Sequence, residues 1–483
     1  MVKRAFLLTG ACLVVAGCAV GPDYARPVAP LAPAFAQPAA IDTRRTDADW
    51  WRGFDDPLLS TLVDRAVANN TDLAQARARI DQSRAAARAA GAAMLPTIDA
   101  SGGVSTLSQS RDTAIGRITR AIGAPRGSTE YAIGAQASWE IDLFGGLRRG
   151  REAARDDLAA TEAGEGAVAI AVAGETADAY LTLRGFQARL AVAGDQERNE
   201  ALLADLVRQR FDQGIAAARD LDRVVAQLEG VRAEMAPLRA GIAAQLNRLD
   251  VLVGEAPGTN RAMLAEPGAV PTAPLPAGSV EPSDLLRRRP DVVAAERRLA
   301  ASNARIGVAV ADYYPHLSLS GLLGVASLGT SNLLTGGAVQ ASAGAGLRWQ
   351  LFDFGRIDAE VDAARGRKAE ALAAWRGSVL LAAEDVETSL ARLVESHAER
   401  ASLEREVAAL GRARVQARDA YAGGVIGLID VTDAEREALS ASDRLALARA
   451  AEARAAVAAY TALGGGWQAA STSTLASAEG KLR

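Results

Sequence analysis

The chain is the same unit written twice, so its fold must be one that can be built two times and joined to itself. Trp139, Phe144, Gly145, Phe211, Gly214, Asp220 and Gly254 recur 210 positions later as Trp349, Phe354, Gly355, Tyr421, Gly424, Asp430 and Gly464. Upstream the interval is 219: Asp72, Ser83, Ala92, Pro96, Ser101 and Gly102 recur as Asp291, Ser302, Ala311, Pro315, Ser320 and Gly321. The intervals differ by 9, which places one insertion between Pro96 and Trp139. Self-similarity at a fixed interval marks a repeated structural unit.

Each copy begins with a helical pattern, over 58–94 and 283–312, that ends at Pro96 or Pro315. Proline cannot continue a helix interior. The period then changes. Tyr131, Ile133, Ala135, Ala137, Trp139, Ile141 and Leu143 alternate with Ala132, Gly134, Gln136, Ser138, Glu140 and Asp142. In the second copy Val339, Ala341, Ala343, Ala345, Leu347, Trp349 and Leu351 alternate with Gln340, Ser342, Gly344, Gly346, Arg348 and Gln350. A two-residue period is the mark of a strand with one apolar and one polar face. Both runs reach the roughly 9–11 residues that cross a bilayer. Residues 98–106 and 317–325 supply weaker partner strands, and 111–127 and 327–337 read as hairpin loops. Trp139 and Trp349 near the strand ends, Phe144 and Phe354 after them, and Tyr313 and Tyr314 before the third strand fit a membrane-interface girdle. A soluble hairpin packed on a helix is the alternative.

From Gly145 to Phe211, and from Gly355 to Tyr421, no proline occurs over 67 residues. A continuous helix of that length spans roughly 100 Å. Gly164, Gly174, Gly185 and Gly194 predict breaks in the first of them. Leu403, Val407, Leu410, Ala417 and Tyr421 keep coiled-coil spacing, interrupted by Arg414. Tight turns follow at Asp212, Gln213 and Gly214 and at Ala422, Gly423 and Gly424. The chain then returns. Leu221, Val224, Leu228, Val231, Met235, Leu238, Ile242 and Leu249 step by 3 and 4 with Gln245 as the one polar member, a heptad seam in which Pro237 predicts a kink. Leu428, Val431, Ala434, Ala438, Ala441, Leu445 and Ala448 form the matching stripe. Residues 255–282 hold six prolines and read as a linker.

The N-terminus supplies an address. Lys3 and Arg4 precede an apolar run over 5–15, and Val15, Ala16, Gly17 and Cys18 follow. This is an export signal, too short to span a membrane. Small residues directly before cysteine resemble a bacterial lipobox, which implies cleavage after residue 17 and lipid, such as palmitate, on Cys18. An ordinary signal with an incidental cysteine is the alternative. Ala19, where Asp is absent, is compatible with outer-membrane delivery. Cleavage removes Cys12, so no internal disulfide remains, and loss of Lys3 and Arg4 takes the net charge from −4 to −6. That balance gives no sign of a nucleic-acid partner. Residues 18–57 read as an extended lead anchored by Trp50, Trp51 and Phe54, and 467–483 as a disordered tail. No later run of 18 apolar residues exists, so no spanning helix is expected.

Four strands per chain cannot close, and lipid forbids an open sheet edge. The chain must share a barrel with copies of itself. Two copies give eight strands and a filled lumen, three give twelve and room for a pore. An enzyme finds little support: His316 and His397 are the only histidines, and no metal spacing, phosphate loop or nucleophile motif occurs. A coiled-coil surface adhesin would explain the helices but not the hairpins or the duplication.

The order of lipobox, Trp50-Trp51 lead, helix, hairpin, long helix, turn and return helix, then the repeat, resembles the outer membrane efflux proteins, the TolC-like outer membrane factors, in their lipidated NodT-type branch. Arg288, Arg289, Pro290, Asp291 and Val292, Tyr314-Pro315, the Trp139 and Trp349 strand ends, and 421–433 carry the resemblance. It implies a mainly α protein with membrane β: a first repeat over 58–254 and a second over 283–466, assembled as a homotrimer with a twelve-stranded β-barrel on a twelve-helix periplasmic tunnel. It implies a passive exit duct in multidrug resistance, docked to an inner-membrane pump of proton-driven (RND) type through a periplasmic adaptor, with no cofactor beyond the lipid on Cys18. Protein secretion is the runner-up. Sparse methionine (Met94, Met235 and Met263 after cleavage) weakly favours organic cargo over copper or silver. The segment 421–433 is similar to the family's periplasmic mouth, so Asp430 and Asp433 would line a constriction; helix capping is the other role for them. Tyr421 matches a lock tyrosine. The family's lock arginine near Val425 and Ile426 is absent, which leaves Arg219, beside Asp220, or Arg223 as substitutes.

Overall fold

Local signals set most element boundaries. The computed structural model describes residues 19–35, 49–273 and 282–467. The signal 1–17, Cys18, residues 36–48 and 274–281, and the tail from 468 lie outside the described residues. In order come α1 (Pro57–Asn69), α2 (Thr71–Ala92), β1 (Thr97–Ser108), α3 (Ala114–Ala121), β2 (Gly127–Ile141), α4 (Gly146–Asp212), α5 (Ala218–Leu252) and the short α6 (Arg261–Leu264). The second copy follows as α7 (Pro282–Arg288), α8 (Pro290–Ala311), β3 (His316–Ser327), β4 (Val339–Arg348), α9 (Arg356–Ala422) and α10 (Leu428–Ala462). Both long helices have 67 residues and both return helices 35.

The duplication is also written in the backbone. Three glycine pairs at the 210 interval share positive φ: Gly145 and Gly355 at 84° and 85°, Gly214 and Gly424 at 74° and 72°, Gly254 and Gly464 both at 78°. Only glycine adopts this region without strain, so each pair marks a helix start, a helix turn or a helix end.

Several expectations need correction. The pattern over 58–94 is two helices, because Asn70 caps the second: its Oδ1 accepts from the Asp72 N–H at 2.8 Å while its Nδ2 donates to the Leu252 carbonyl at 3.0 Å. The pattern over 283–312 is likewise divided at Arg289, before Pro290. The loop 111–127 contains α3, and β4 stops at Arg348, short of Trp349 and Leu351. The glycines of α4 do not break it. The 255–282 linker is packed at its start, where Asp250 accepts from the Gly258 and Asn260 N–H groups at 2.6 and 3.0 Å.

The chain forms two compact units. The first gathers Asp81–Ala159 and Glu296–Ala373 with the lead up to Pro27. It holds one antiparallel sheet in the order β1-β2-β3-β4. The second gathers Val28–Ile80, Ala160–Ala295 and the chain from Ala374. It is helical, with Tyr180, Leu249 and Trp375 among its most buried side chains. Trp50, Trp51 and Phe54 anchor the lead there, and Trp50 stacks on Tyr460 with centroids 5.5 Å apart. The predicted seam of α5 is buried at Val224, Leu228, Val231, Met235, Leu238 and Leu249.

Candidate functional site

The sheet of the first unit separates chemistry by face. Registers such as Ile98↔Ala137, Ile133↔Val325, Ala135↔Leu323, Trp139↔Leu319 and Leu317↔Leu347 put residues of like character opposite one another across all four strands. Directly paired residues share a face. One face carries Ile98, Val104, Tyr131, Ile133, Trp139, Ile141, Leu317, Leu319, Leu323, Val325, Val339 and Leu347. The other carries Ser101, Gln136, Ser138, Ser318, Ser320, Gln340 and Ser342. Every charged residue of the strands, Asp99, Glu130, Glu140 and Arg348, falls on this polar face, where Leu107 and Leu322 are the large apolar exceptions. A one-residue slip in a pairing would turn charged side chains toward the apolar side. The outer edges of β1 and β4 have no partner among the described residues.

Both strand-end tryptophans are held in the same way. The Trp139 indole donates to the Met94 carbonyl at 2.9 Å, and the Trp349 indole to the Tyr313 carbonyl at 3.0 Å. The sequence separations, 45 and 36, differ by the 9-residue insertion, so the contact was duplicated with the repeat. Phe144 stacks on Tyr314 at 4.5 Å; Tyr313 hydrogen-bonds Asp358; Phe354 is fully exposed. The lead docks beside these rings: the Val20 N–H donates to the Phe144 carbonyl at 2.9 Å, and the Arg149 guanidinium to Asp23 at 2.6 Å. Ala19 packs so closely on Gly145 that a Cβ there would lie 2.6 Å from its Cα.

In the second unit the helix turns meet. Asp430 occupies the first turn of α10, where its Oδ2 accepts from the Gly427 N–H at 3.0 Å, a cap favoured by the helix dipole. Asp433 lies 3.1 Å from Arg436 and 3.8 Å from Arg223 on α5. Among the described residues Arg219 pairs with its neighbour Asp220 alone, at 3.3 Å. Tyr421 is instead engaged by Arg210, which the sequence analysis missed: the guanidinium donates to the phenol oxygen at 2.6 Å and lies 5.2 Å from the ring centre. Arg210 immediately precedes Phe211, the first-copy counterpart of Tyr421, and that adjacency was the available signal. Behind the turns, Ala204, Val207, Val224 and Leu228 form a buried cluster joined by Leu428 of the other repeat. His397 has its Nδ1 2.7 Å from Glu452. Among the described residues no cluster of three or more His, Cys, Asp or Glu could hold a metal ion, and no helix is long and apolar enough to cross a membrane.

The sequence model of the outer membrane efflux protein family matches residues 62–255 and 282–465. The chain belongs to the outer membrane efflux protein family. It is 32% identical over 464 residues to outer membrane protein OprJ of Pseudomonas aeruginosa, covering 94% of each chain. It is 28% identical over 461 residues to the cation efflux system protein CusC of Escherichia coli O6:H1, covering 94% of this chain and 97% of that one. A solved structure of the outer-membrane channel OprN superposes with a TM-score of 0.86 at 33% identity, over 94% of this chain and all of that one. This efflux protein is thus an outer membrane channel component. Its unpaired sheet edges are completed by copies of itself, with the helical tunnel in the periplasm.

Proposed function

We propose that three copies join into the twelve-stranded barrel and tunnel, and that this duct receives small molecules from a proton-driven inner-membrane pump through a periplasmic adaptor. The observation that carries the reading is the four-strand register, which gathers the large apolar side chains on one face, broken by Thr106, Ser108, Thr129 and Ser327 towards its hairpin end, and collects every strand charge on the other. Such a sheet suits a wall with lipid outside and water inside. The names of OprJ and CusC place those relatives in outer-membrane and efflux roles, which favours efflux over protein secretion.

In this reading Trp139, Trp349, Phe144, Phe354, Tyr313 and Tyr314 mark the periplasmic membrane boundary. Lipid on Cys18 would enter the bilayer there, since Ala19 packs on Gly145 beside Phe144. Asp430 and Asp433 from three copies ring the mouth, repelling anions and concentrating cations. Capping by Asp430 is compatible with this, because its second oxygen remains available. Arg210 with Tyr421, and Arg223 with Asp433, take the place of the absent lock arginine. The D430A/D433A double variant in planar bilayers tests the aperture. Larger conductance and weaker block by divalent cations are expected; unchanged values for both would remove the carboxylates from the mouth.

A further inference from the structure

The 9-residue insertion of the first repeat builds something the second lacks. Its hairpin carries α3, a helix with defined ends. The Thr113 hydroxyl oxygen accepts from the Gly116 N–H at 3.1 Å at the start, and Gly123, with φ 67°, turns the chain at the end. The Gln109 N–H donates to the Arg126 carbonyl at 2.9 Å and closes the loop. Gly116 presses the helix against its own loop, where a Cβ would sit 2.7 Å from the Ser110 carbonyl carbon. The opposite side stays open. Ile115, Ile118 and Ile122, spaced by 3 and 4, share one face at 62%, 62% and 73% exposure. Arg117 and Arg120 lie on the reverse, flanked by Arg111 and Arg126, with Asp112 the one acid nearby. None of the four arginines forms an ion pair with a described residue. The corresponding loop of the second copy, 328–338, has no charged residue.

We propose that α3 is an interfacial anchor seated on anionic, phosphorylated lipid of the outer membrane's outer leaflet. The proposal rests on the barrel reading above, in which the β1–β2 hairpin emerges at the cell surface, the end of the strands remote from α2 and α4. The isoleucine face then lies at the acyl boundary, while the arginines extend to headgroup phosphates, which they bind bidentately. Charge decides between this occupant and a fold-back over the pore exit. Threefold symmetry would crowd the arginines of three loops around the axis, where they repel; on the lipid each meets an opposite charge. The three copies would also reinforce one another through multivalency.

The test uses the full-length lipidated protein carrying I118C labelled with an environment-sensitive fluorophore. It is reconstituted in phosphatidylcholine vesicles with or without a bis-phosphorylated glycolipid. The expected result is quenching by headgroup-level nitroxide lipids when the phosphorylated lipid is present. Removing Arg117 and Arg120 (R117Q/R120Q) should lower that association by about fivefold per arginine. A label reached only by aqueous quencher, or one that crosslinks between protomers, overturns the proposal. An I133C label on the apolar strand face separates the two levels. If it is quenched by deep nitroxides while I118C is not, the anchor fails alone. If neither is quenched, the barrel reading fails with it.

Discussion

Glu200 on α4 is a carboxylate at 2% exposure whose Oε2 has no hydrogen-bond partner among the described residues, while Gln227 donates to its Oε1 at 3.1 Å. Burial, and then the nearby Glu435 charge, raise its pKa above the ordinary 4.5, against the opposing effects of Gln227 and Arg418. Between the ordinary and the raised value the native state keeps a proton that the unfolded chain has lost. Stability therefore falls as pH rises through that window, and the cost is complete above it. E200Q should raise the thermal midpoint at pH 8, corresponding to about 1 kcal/mol, and leave it unchanged at pH 4. Equal gains at both pH values would mean that packing, not charge, set the effect. A second residue-scale prediction concerns Arg210 and Tyr421. Their cation–π and hydrogen-bonded contact joins the two repeats, so an R210A and Y421A double-mutant cycle should return a coupling of about 0.5–2 kcal/mol. Zero coupling would reduce the contact to coincidence. Tyr421 was visible from its repeat position. Arg210 has only its place beside Phe211 to single it out in the sequence; that it reaches Tyr421, 211 residues on, is decided by the tertiary structure.

The long helices show where intrinsic preference misleads. The glycines of α4 cost about 1 kcal/mol each relative to alanine in a helix interior, yet α4 is unbroken because packing outweighs propensity. Gly174 and Gly185 are contact points with α10: an added Cβ would lie 2.7 Å from the Thr461 and Ala450 side chains. A Cβ at Gly164 would meet no described residue within 4 Å. G185V should destabilise the protein by about 1–3 kcal/mol, whereas G164A should stabilise it by about 0.5–1 kcal/mol, both read from thermal unfolding of the trimer in detergent. The opposite ordering would show that the glycines were kept for flexibility rather than close approach. The strands were more legible than the helices, since a two-residue period depends only on neighbours in the chain. The helix within the 111–127 loop was missed because its three isoleucines are too few to establish a period.

For the whole molecule the open edges of β1 and β4 are decisive, since no lone chain could leave them in lipid. Chemical crosslinking of the detergent-solubilised protein should therefore stop at a species of three chains; a ladder ending at two would imply an eight-stranded barrel with a filled lumen. Lipidation is a separate matter. C18S should lose incorporated palmitate yet keep a heat-modifiable, membrane-inserted trimer, because the strand wall does not depend on the acyl chains. Loss of the trimer would mean that the anchor drives assembly.

The sequence alone determined the duplication, the prolines that end the first helices, the glycines that turn the chain, and the alternation that makes strands. Each of these signals is local, or repeats at a fixed interval, and the backbone obeys it directly. The tertiary structure decided what joins the two copies, the shared apolar face across four strands, the close approach of α4 to α10 and the Arg210–Tyr421 bridge, and what it buries, such as Glu200. Those depend on side chains brought together from distant parts of the chain, where burial and complementary shape prevail over what either residue prefers on its own.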